Sequence, residues 1–492
     1  MRASNLRSGD STGSNVPHNS SKPSFNQRNP LASENKWVML ILYALLTISD
    51  GIIWVSFWPI LHEGKTYFGV SSLLIFTLSM MYVIVFILFA PLAGQATDKK
   101  NLRYGILMGS FLNFLGAVIK VIPAPIRMDG TVGYIFTFVG SIIGGCAHSF
   151  ILILPPKLAQ NWFNPQTRIT CIALCVIFQN IGVSFGIILA PVFGKTRAGV
   201  GLLLLFHFIM GLLVFILELI FFISEPTTPP SRSATNSIDP HQHFCTGLSR
   251  AYSPALLQRS ISSLLQTNGF SLTAVSFGLI IGAQTAIWVT LTVPLLDKSK
   301  RFLSTDDMLV FNFAGIIGAL SAAAIVDGSL LTHRQMSLGS YFGFSIFLVF
   351  FCISVIFEQE SAIMLCCLLT GMFTSALLPT LHDLILEITY PAPQTLASSI
   401  PLFVGQIWTL VFISINFRLE LVGEYGPVAF LAGSSTLGLL AFVAAKNAEC
   451  RRQEYEKSAL TGQNEGSLEL DGTGALNFFS LDDSDALESR TV

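Results

Sequence analysis

The sequence predicts an all-α membrane protein with twelve transmembrane helices in two six-helix bundles. Three observations predict it. Of 492 residues, 52% are hydrophobic and only 12% charged, about half the charge of a soluble domain. Apolar runs recur from Trp37 to Ala445, each near the roughly 20 residues that span a bilayer. A polar stretch, 224–267, divides those runs into two sets. A soluble protein of this composition would lack the polar surface to cover itself.

The elements follow in order. Residues 1–36 are polar and rich in Ser and Asn. They are expected to form a disordered cytosolic tail, and the full-length apolar run behind them does not read as a cleaved signal peptide. Six spans are expected near 37–61, 71–96, 103–122, 133–154, 168–193 and 199–223, so that 37–223 is the first bundle. The segment 224–267 contains "SEPTTPPSRSATNS" and "DPHQHF" and reads as a flexible cytosolic loop. Six further spans near 268–294, 307–327, 337–356, 361–386, 395–417 and 426–445 make 268–445 the second bundle. From Lys446 the tail 446–492 is polar and later acidic, and disorder is expected there too.

Charge supplies the orientation. With both termini on one side, that side carries 19 of the 28 Lys and Arg residues, and the positive-inside bias then places both termini in the cytosol. The net charge of -1 gives no sign of a nucleic-acid partner. The eight cysteines include Cys146, Cys171, Cys175, Cys352, Cys366 and Cys367 inside apolar runs, and they read as small core residues without metal-site spacing. Glycines are dense in the spans, among them Gly109, Gly116, Gly140, Gly144, Gly315 and Gly318. Small residues let helix backbones approach closely in lipid.

Polar residues inside the spans mark the candidate site. In "SDGIIWVSFWP", Asp50, Trp54 and Trp58 are spaced four apart and share one helix face. An aromatic face can hold an organic cation, and a carboxylate in lipid strongly prefers the bundle interior. Asp50 then supplies countercharge or a proton site; alternatively it is a hydrogen-bonded packing residue. Trp58, beside Pro59, could be an interfacial anchor. Gln179 and Asn180 in "CVIFQNIGVSFG", and Gln406 in "PLFVGQIWTLVF", place amides in mid-helix, where they need partners or a ligand. Lys120 in "FLGAVIK" reads as an outer-end lysine that snorkels to the interface.

Other charges cluster at span ends. "GQATDKKNLRYG" joins spans two and three. There Asp98 can accept from helix-terminal amides, with Lys99 facing the cytosol, which suggests a conformational latch. Asp327 in "IVDGSLLTHRQ" is a degenerate echo. Asp383 and Glu387 in "HDLILEITYP" share a face at the cytosolic end of span ten and are expected to help gating. No phosphate loop, metal cluster or serine elbow occurs, so the chain is expected to be no enzyme and to need no cofactor.

Twelve spans in a 6+6 plan are usual for major facilitator carriers. The stretches "DGIIWVSFWPI", "LPPKLAQNWFNPQTR", "IFQNIGVSFG" and especially "EITYPAPQTLASS" resemble the solute carrier 49 family of that superfamily. That family includes the feline leukaemia virus subgroup C receptor-related and disrupted-in-renal-carcinoma-2-like proteins. The resemblance implies the major facilitator fold and transport of choline or ethanolamine, with haem or pyridoxine, the latter proton-linked, as alternatives. It implies that Trp54, Asn180 (with Gln179 beside it) and Gln406 contact the ligand. Tyr82 is the nearest match to a second-helix aromatic of the choline carriers. Asp50 departs from them, since it stands where they have an uncharged residue. For haem, His148 and Met80 are available as axial ligands.

The expected activity is alternating-access transport of a small organic cation, the partners being that solute and the lipid bilayer. The chain is expected to be monomeric and multi-pass, in the plasma membrane or alternatively an endolysosomal one. A receptor or scaffold without transport is the rival reading.

Overall fold

The computed structural model describes residues 30–123, 130–194, 197–231, 233–234, 254–292, 305–416, 426–445 and 451–454. They are all-α, without strands. In order the helices are α1 (Pro30–Val55), α2 (Leu61–Phe68), α3 (Ser72–Lys99), α4 (Leu102–Val121), α5 (Thr131–Ile151), α6 (Pro155–Trp162), α7 (Arg168–Gly194) and α8 (Arg197–Phe221). There follow α9 (Pro254–Gln266), α10 (Phe270–Thr292), α11 (Thr305–Asp327), α12 (His333–Ile356), α13 (Glu360–Thr389), α14 (Gln394–Asn416) and α15 (Gly426–Ala444).

Eleven helices among the described residues are long and apolar enough to cross a membrane, and Ala429–Ala444 is a shorter apolar helix. In hydrocarbon every backbone group must be bonded internally, which makes the helix the available solution for such runs. Their N-terminal ends carry local start signals. The Ser71 hydroxyl caps α3 by accepting from Leu74 N, and the Asn101 side chain caps α4 by accepting from Tyr104 N at 2.8 Å. Thr332 and Gln335 form a capping box at α12. Exposed apolar side chains such as Leu88, Ile220 and Ile317 cover the outer faces, where lipid is their natural solvent. The protein is an integral, multi-pass membrane protein.

Helices of the first half pack mostly on one another, as α1 on α7, α3 and α4 on α5, and α4 on α8. Those of the second half do likewise, as α10 on α14 and α15, and α11 and α12 on α13. The halves meet chiefly where α3 packs on α14 and α7 on both α11 and α13, with α6 also touching α13 and α14.

Several expectations are corrected. The first span ends at Val55, not near 61, and α2 is a separate short helix. Part of the segment read as a loop is the helix α9, and Ser231 and Ser233 are buried, both accepting hydrogen bonds from Arg168. Most of the tails 1–36 and 446–492 lies outside the described residues. Residues 30–36 nonetheless extend α1, and 451–454 form a helical turn whose Arg452 is buried.

Candidate functional site: an aromatic and acidic cluster on α1

Trp54 is the hub. Its indole is 3% exposed, and its ring lies 5.3 Å from Trp58, 5.1 Å from His148 of α5 and 6.2 Å from Trp288 of α10. Trp54 Nε1 donates to the Ser79 carbonyl of α3 at 3.2 Å. Trp58 is fully buried, which corrects the interfacial-anchor reading. Although α1 ends at Val55, Trp58 N still donates to Val55 O, which keeps its ring beside Trp54.

Asp50 sits one turn before Trp54 and is also fully buried. Its Oδ2 is 2.6 Å from His148 Nδ1, so Nδ1–H donates to the carboxylate. Among the described residues, Asp50 Oδ1 and His148 Nε2 have no hydrogen-bond partner. Two open polar positions beside indole faces suit a polar or cationic guest, because buried polar atoms otherwise find partners.

Lys120 is not at an interface. It is 1% exposed, its Nζ donates to Tyr82 Oη at 3.1 Å, and the ammonium stands 5.1 Å from the Tyr82 ring centre. Tyr82 in turn meets the His148 ring edge-on at 5.8 Å. The cause lies on α5. A Cβ at Gly140 would fall 2.6 Å from Lys120 Cγ, and one at Gly144 would overlap the Tyr82 hydroxyl. The two missing side chains leave a slot for a lysine stem and a phenol.

The amides divide. Asn180 Nδ2 donates to Ser375 Oγ of α13 at 3.4 Å, across the two halves. Both polar atoms of Gln179, and Oε1 of Gln406, lack partners among the described residues. Gln406 is buried, yet no ring contact or hydrogen bond among the described residues joins it to the Trp54 cluster. Trp288 and Asn312, which sequence reasoning passed over, do connect to it. Trp288 Nε1 donates to Asn312 Oδ1 at 3.1 Å, and Asn312 Nδ2 donates to Ser184 Oγ at 3.0 Å. Ser184 then donates to Asn180 O. The signal that picked out Gln179 applied equally to "AIWVT" and "VFNFAG", each a lone polar or indole side chain in an apolar run.

At one end of the bundle, charges tie the halves together. Asp98 Oδ1 accepts from Lys157 Nζ at 3.0 Å and from Thr395 N at 3.3 Å, while Oδ2 accepts from Leu396 N at 2.9 Å. Thr395 and Leu396 open α14, where backbone N–H groups lack intrahelical acceptors. Gly94 permits the approach, since its Cβ would lie 3.0 Å from Thr395 O. Lys99 is exposed beside this contact.

Asp383 and Glu387 meet a residue expected to lie in a disordered tail. Arg452 Nη2 donates to Asp383 Oδ1 at 2.6 Å, and Nε to Glu387 Oε1 at 2.7 Å. His333 Nε2 stands 2.8 Å from Asp383 Oδ2. Ligand atoms of His333, Asp383 and Glu387 lie within 4.8 Å of one another, but the guanidinium already engages both carboxylates, so the cluster is an ion-pair clamp. Burial alone would lower the Arg452 pKa; the two carboxylates outweigh it and hold it above the usual arginine range.

The pattern describing the Major Facilitator Superfamily matches residues 39–413. Similar proteins include the Choline/ethanolamine transporter FLVCR2 of Rattus norvegicus, 25% identical over 87% of this chain and 77% of that one. Solute carrier family 49 member A3 of Xenopus tropicalis is 25% identical over 77% of each. An uncharacterized MFS-type transporter of Caenorhabditis elegans, C09D4.1, is 25% identical over 75% of this chain, which spans only 62% of its length. Among solved structures, the E. coli fucose:proton symporter FucP superposes with a TM-score of 0.64 at 13% identity, covering 85% of this chain and 99% of that one. The proton:xylose symporter XylE gives 0.64 at 15% identity, covering 86% and 100%; at such identities the likeness concerns the fold. The chain belongs to the Major Facilitator Superfamily, whose members are carriers rather than catalytic enzymes, and it is related to choline/ethanolamine transporters.

Proposed function

We propose that the protein carries a small organic cation, of the choline or ethanolamine class, by alternating access between two six-helix bundles. In this reading α15 is the twelfth span, 37–223 and 268–445 are the moving bodies, and both termini face the cytosol. The positive-inside count supports that orientation, and the choline/ethanolamine transport for which the FLVCR2 relatives are named supports the cargo class. The observation that carries the proposal is the unpartnered Asp50 Oδ1 beside the Trp54 indole, in a cluster that Trp288 reaches from the other half. Trp54 would hold the methylated ammonium by cation–π attraction, and Asp50 would supply countercharge.

Gln179, Asn180 and Gln406 would complete the polar contacts as the cavity opens, with Tyr82 at its edge. Asp98, with Lys99 beside it, and the Asp383–Glu387 pair would stabilise closure on the cytosolic side. The test is uptake of labelled choline into proteoliposomes by wild-type protein and by Trp54→Ala. Saturable flux that Trp54→Ala weakens is expected. Equal kinetics in a well-folded Trp54→Ala protein would remove the cluster from the cargo path, and no saturable flux for any organic cation would favour the receptor reading.

A further inference from the structure

Four helices converge on one connected set of ionisable groups. Asp50 of α1 holds His148 of α5 at 2.6 Å, His148 packs edge-on against Tyr82 of α3, and Tyr82 accepts from Lys120 of α4 at 3.1 Å. On α5, Gly140 makes room for the lysine and Gly144 for the phenol. A buried ammonium in a glycine-lined slot is a built feature, because a lysine near a span end otherwise reaches for water. Neither Lys120 nor His148 is needed merely to hold a cation against Trp54.

Resting on the cation-carrier reading above, we propose that the Asp50–His148 pair is a proton-binding site in which a proton and the cationic cargo exclude one another, making the protein a proton–cation exchanger. Asp50 balances one positive charge, either a proton on His148 or the cargo; both together leave one in excess, and a protonated Lys120 on Tyr82 adds to the repulsion. Two unit charges 4 Å apart interact by about 4 kcal/mol at an effective dielectric of about 20, so the doubly loaded state is disfavoured. As cargo settles against Trp54 and Asp50 Oδ1, imidazolium Nε2–H releases its proton to water on the open side, and imidazole remains on Asp50. Each loaded state carries the same charge, so exchange is one for one and electroneutral.

The surrounding elements bear few other titratable groups that face the pair. On α1, Tyr43 is committed, its hydroxyl donating to Ile151 O at 2.9 Å. Cys171 and Cys175 of α7 lie on the Tyr43 side. His207 of α8 is engaged through Nε2 with Ser56 Oγ at 3.0 Å, and Glu218 of α8 is buried farther toward Tyr43. The short α2 offers one buried titratable side chain, Tyr67, and α10 has none.

The test needs a proton readout independent of cargo. The His148 ring is 5.1 Å from Trp54, so imidazolium should quench that indole. Intrinsic fluorescence of the full chain, followed as the pH is lowered, should fall on acidification. The fall should vanish in His148→Gln and in Trp54→Phe, and choline should move it to lower pH. A transition that persists in His148→Gln, or none in the wild type, overturns the proposal; His148→Asn repeats the test if His148→Gln does not fold. In proteoliposomes, an interior more acidic by one pH unit should accumulate choline about tenfold, the 1.4 kcal/mol of one tenfold gradient, whatever the membrane potential. Saturable choline flux indifferent to the pH gradient also overturns it. A His148-dependent quench without choline flux would sink the choline reading and leave the proton site standing.

Discussion

Asp327 at the end of α11 caps α7 in the other half of the molecule: its Oδ2 accepts the Thr170 backbone N–H at 2.9 Å and the Thr170 hydroxyl at 2.6 Å. Asp98 at the end of α3 does the same for α14 through Thr395 and Leu396. Each acid thus ends a span in one half and neutralises the N-terminal dipole of a span in the other. The degenerate resemblance between "ATDKK" and "IVDGS" has a structural counterpart, with Lys157 strengthening the Asp98 side.

Opening of this end must break both caps. Asp98→Asn keeps the size of the side chain and removes its charge, and hydrogen bonds to charged groups contribute about 1.5–3 kcal/mol. The fraction open at this end should rise at least tenfold. A thiol reporter at Ser398, a buried residue of α14, should then label at least tenfold faster in Asp98→Asn. Asp327→Asn should show a smaller rise, lacking the lysine partner. Unchanged labelling in both would deny the caps a gating role.

Removing an indole from the hub should weaken cargo binding more than it weakens the fold. A cation over an indole in a desolvated site contributes roughly 2 kcal/mol, so Trp54→Ala should raise the apparent choline KM by about tenfold or more. Trp54→Phe keeps a weaker aromatic face and should fall between the two. Thermal unfolding measured beside uptake separates loss of the site from loss of packing with Trp58.

The spans were legible in the sequence because apolar length is set by bilayer thickness, and four-residue spacing was enough to put Asp50 beside Trp54. What escaped depends on register between helices. Lys120 stands near the end of its apolar run, just before "VIPAP", where local sequence points outward. Only the passage of Gly140 and Gly144 across it on α5 turns it inward. His148 carried no partner at fixed sequence spacing because its partner, Asp50, is 98 residues away. Arg452 was obscured by the polar composition that follows it, since one turn of chain can dock while its surroundings read as tail.

Arg452 should be among the most costly single substitutions. Its guanidinium engages Asp383 and Glu387 and is 1% exposed, and breaking a buried pair from one side costs about 3–5 kcal/mol. Arg452→Ala, or truncation after Ala445, should lower the detergent-solubilised melting temperature by several degrees. Adding Asp383→Asn and Glu387→Gln to Arg452→Ala should recover part of that loss, because the stranded charges are gone. Absence of any recovery would argue that the residue stabilises by packing rather than charge.

Gly144→Ala tests whether the lysine slot is a built feature. A methyl group there would overlap the Tyr82 hydroxyl, so the phenol must move and release its bond to Lys120. Overpacking of this kind costs about 1–3 kcal/mol. Tyr82→Phe removes the nearest clashing atom, the oxygen, but leaves ring carbon Cζ 2.6 Å from that Cβ and takes the partner from Lys120, so each single variant is expected to be destabilised. In the double variant the clash is reduced and the lost bond is counted only once. Its loss should therefore be smaller than the sum of the singles, by an interaction energy of about 1 kcal/mol. Thermal melts of the four proteins read this directly. Strict additivity would mean that Tyr82 does not fill the space Gly144 leaves, and Lys120 would then need another reason to be buried.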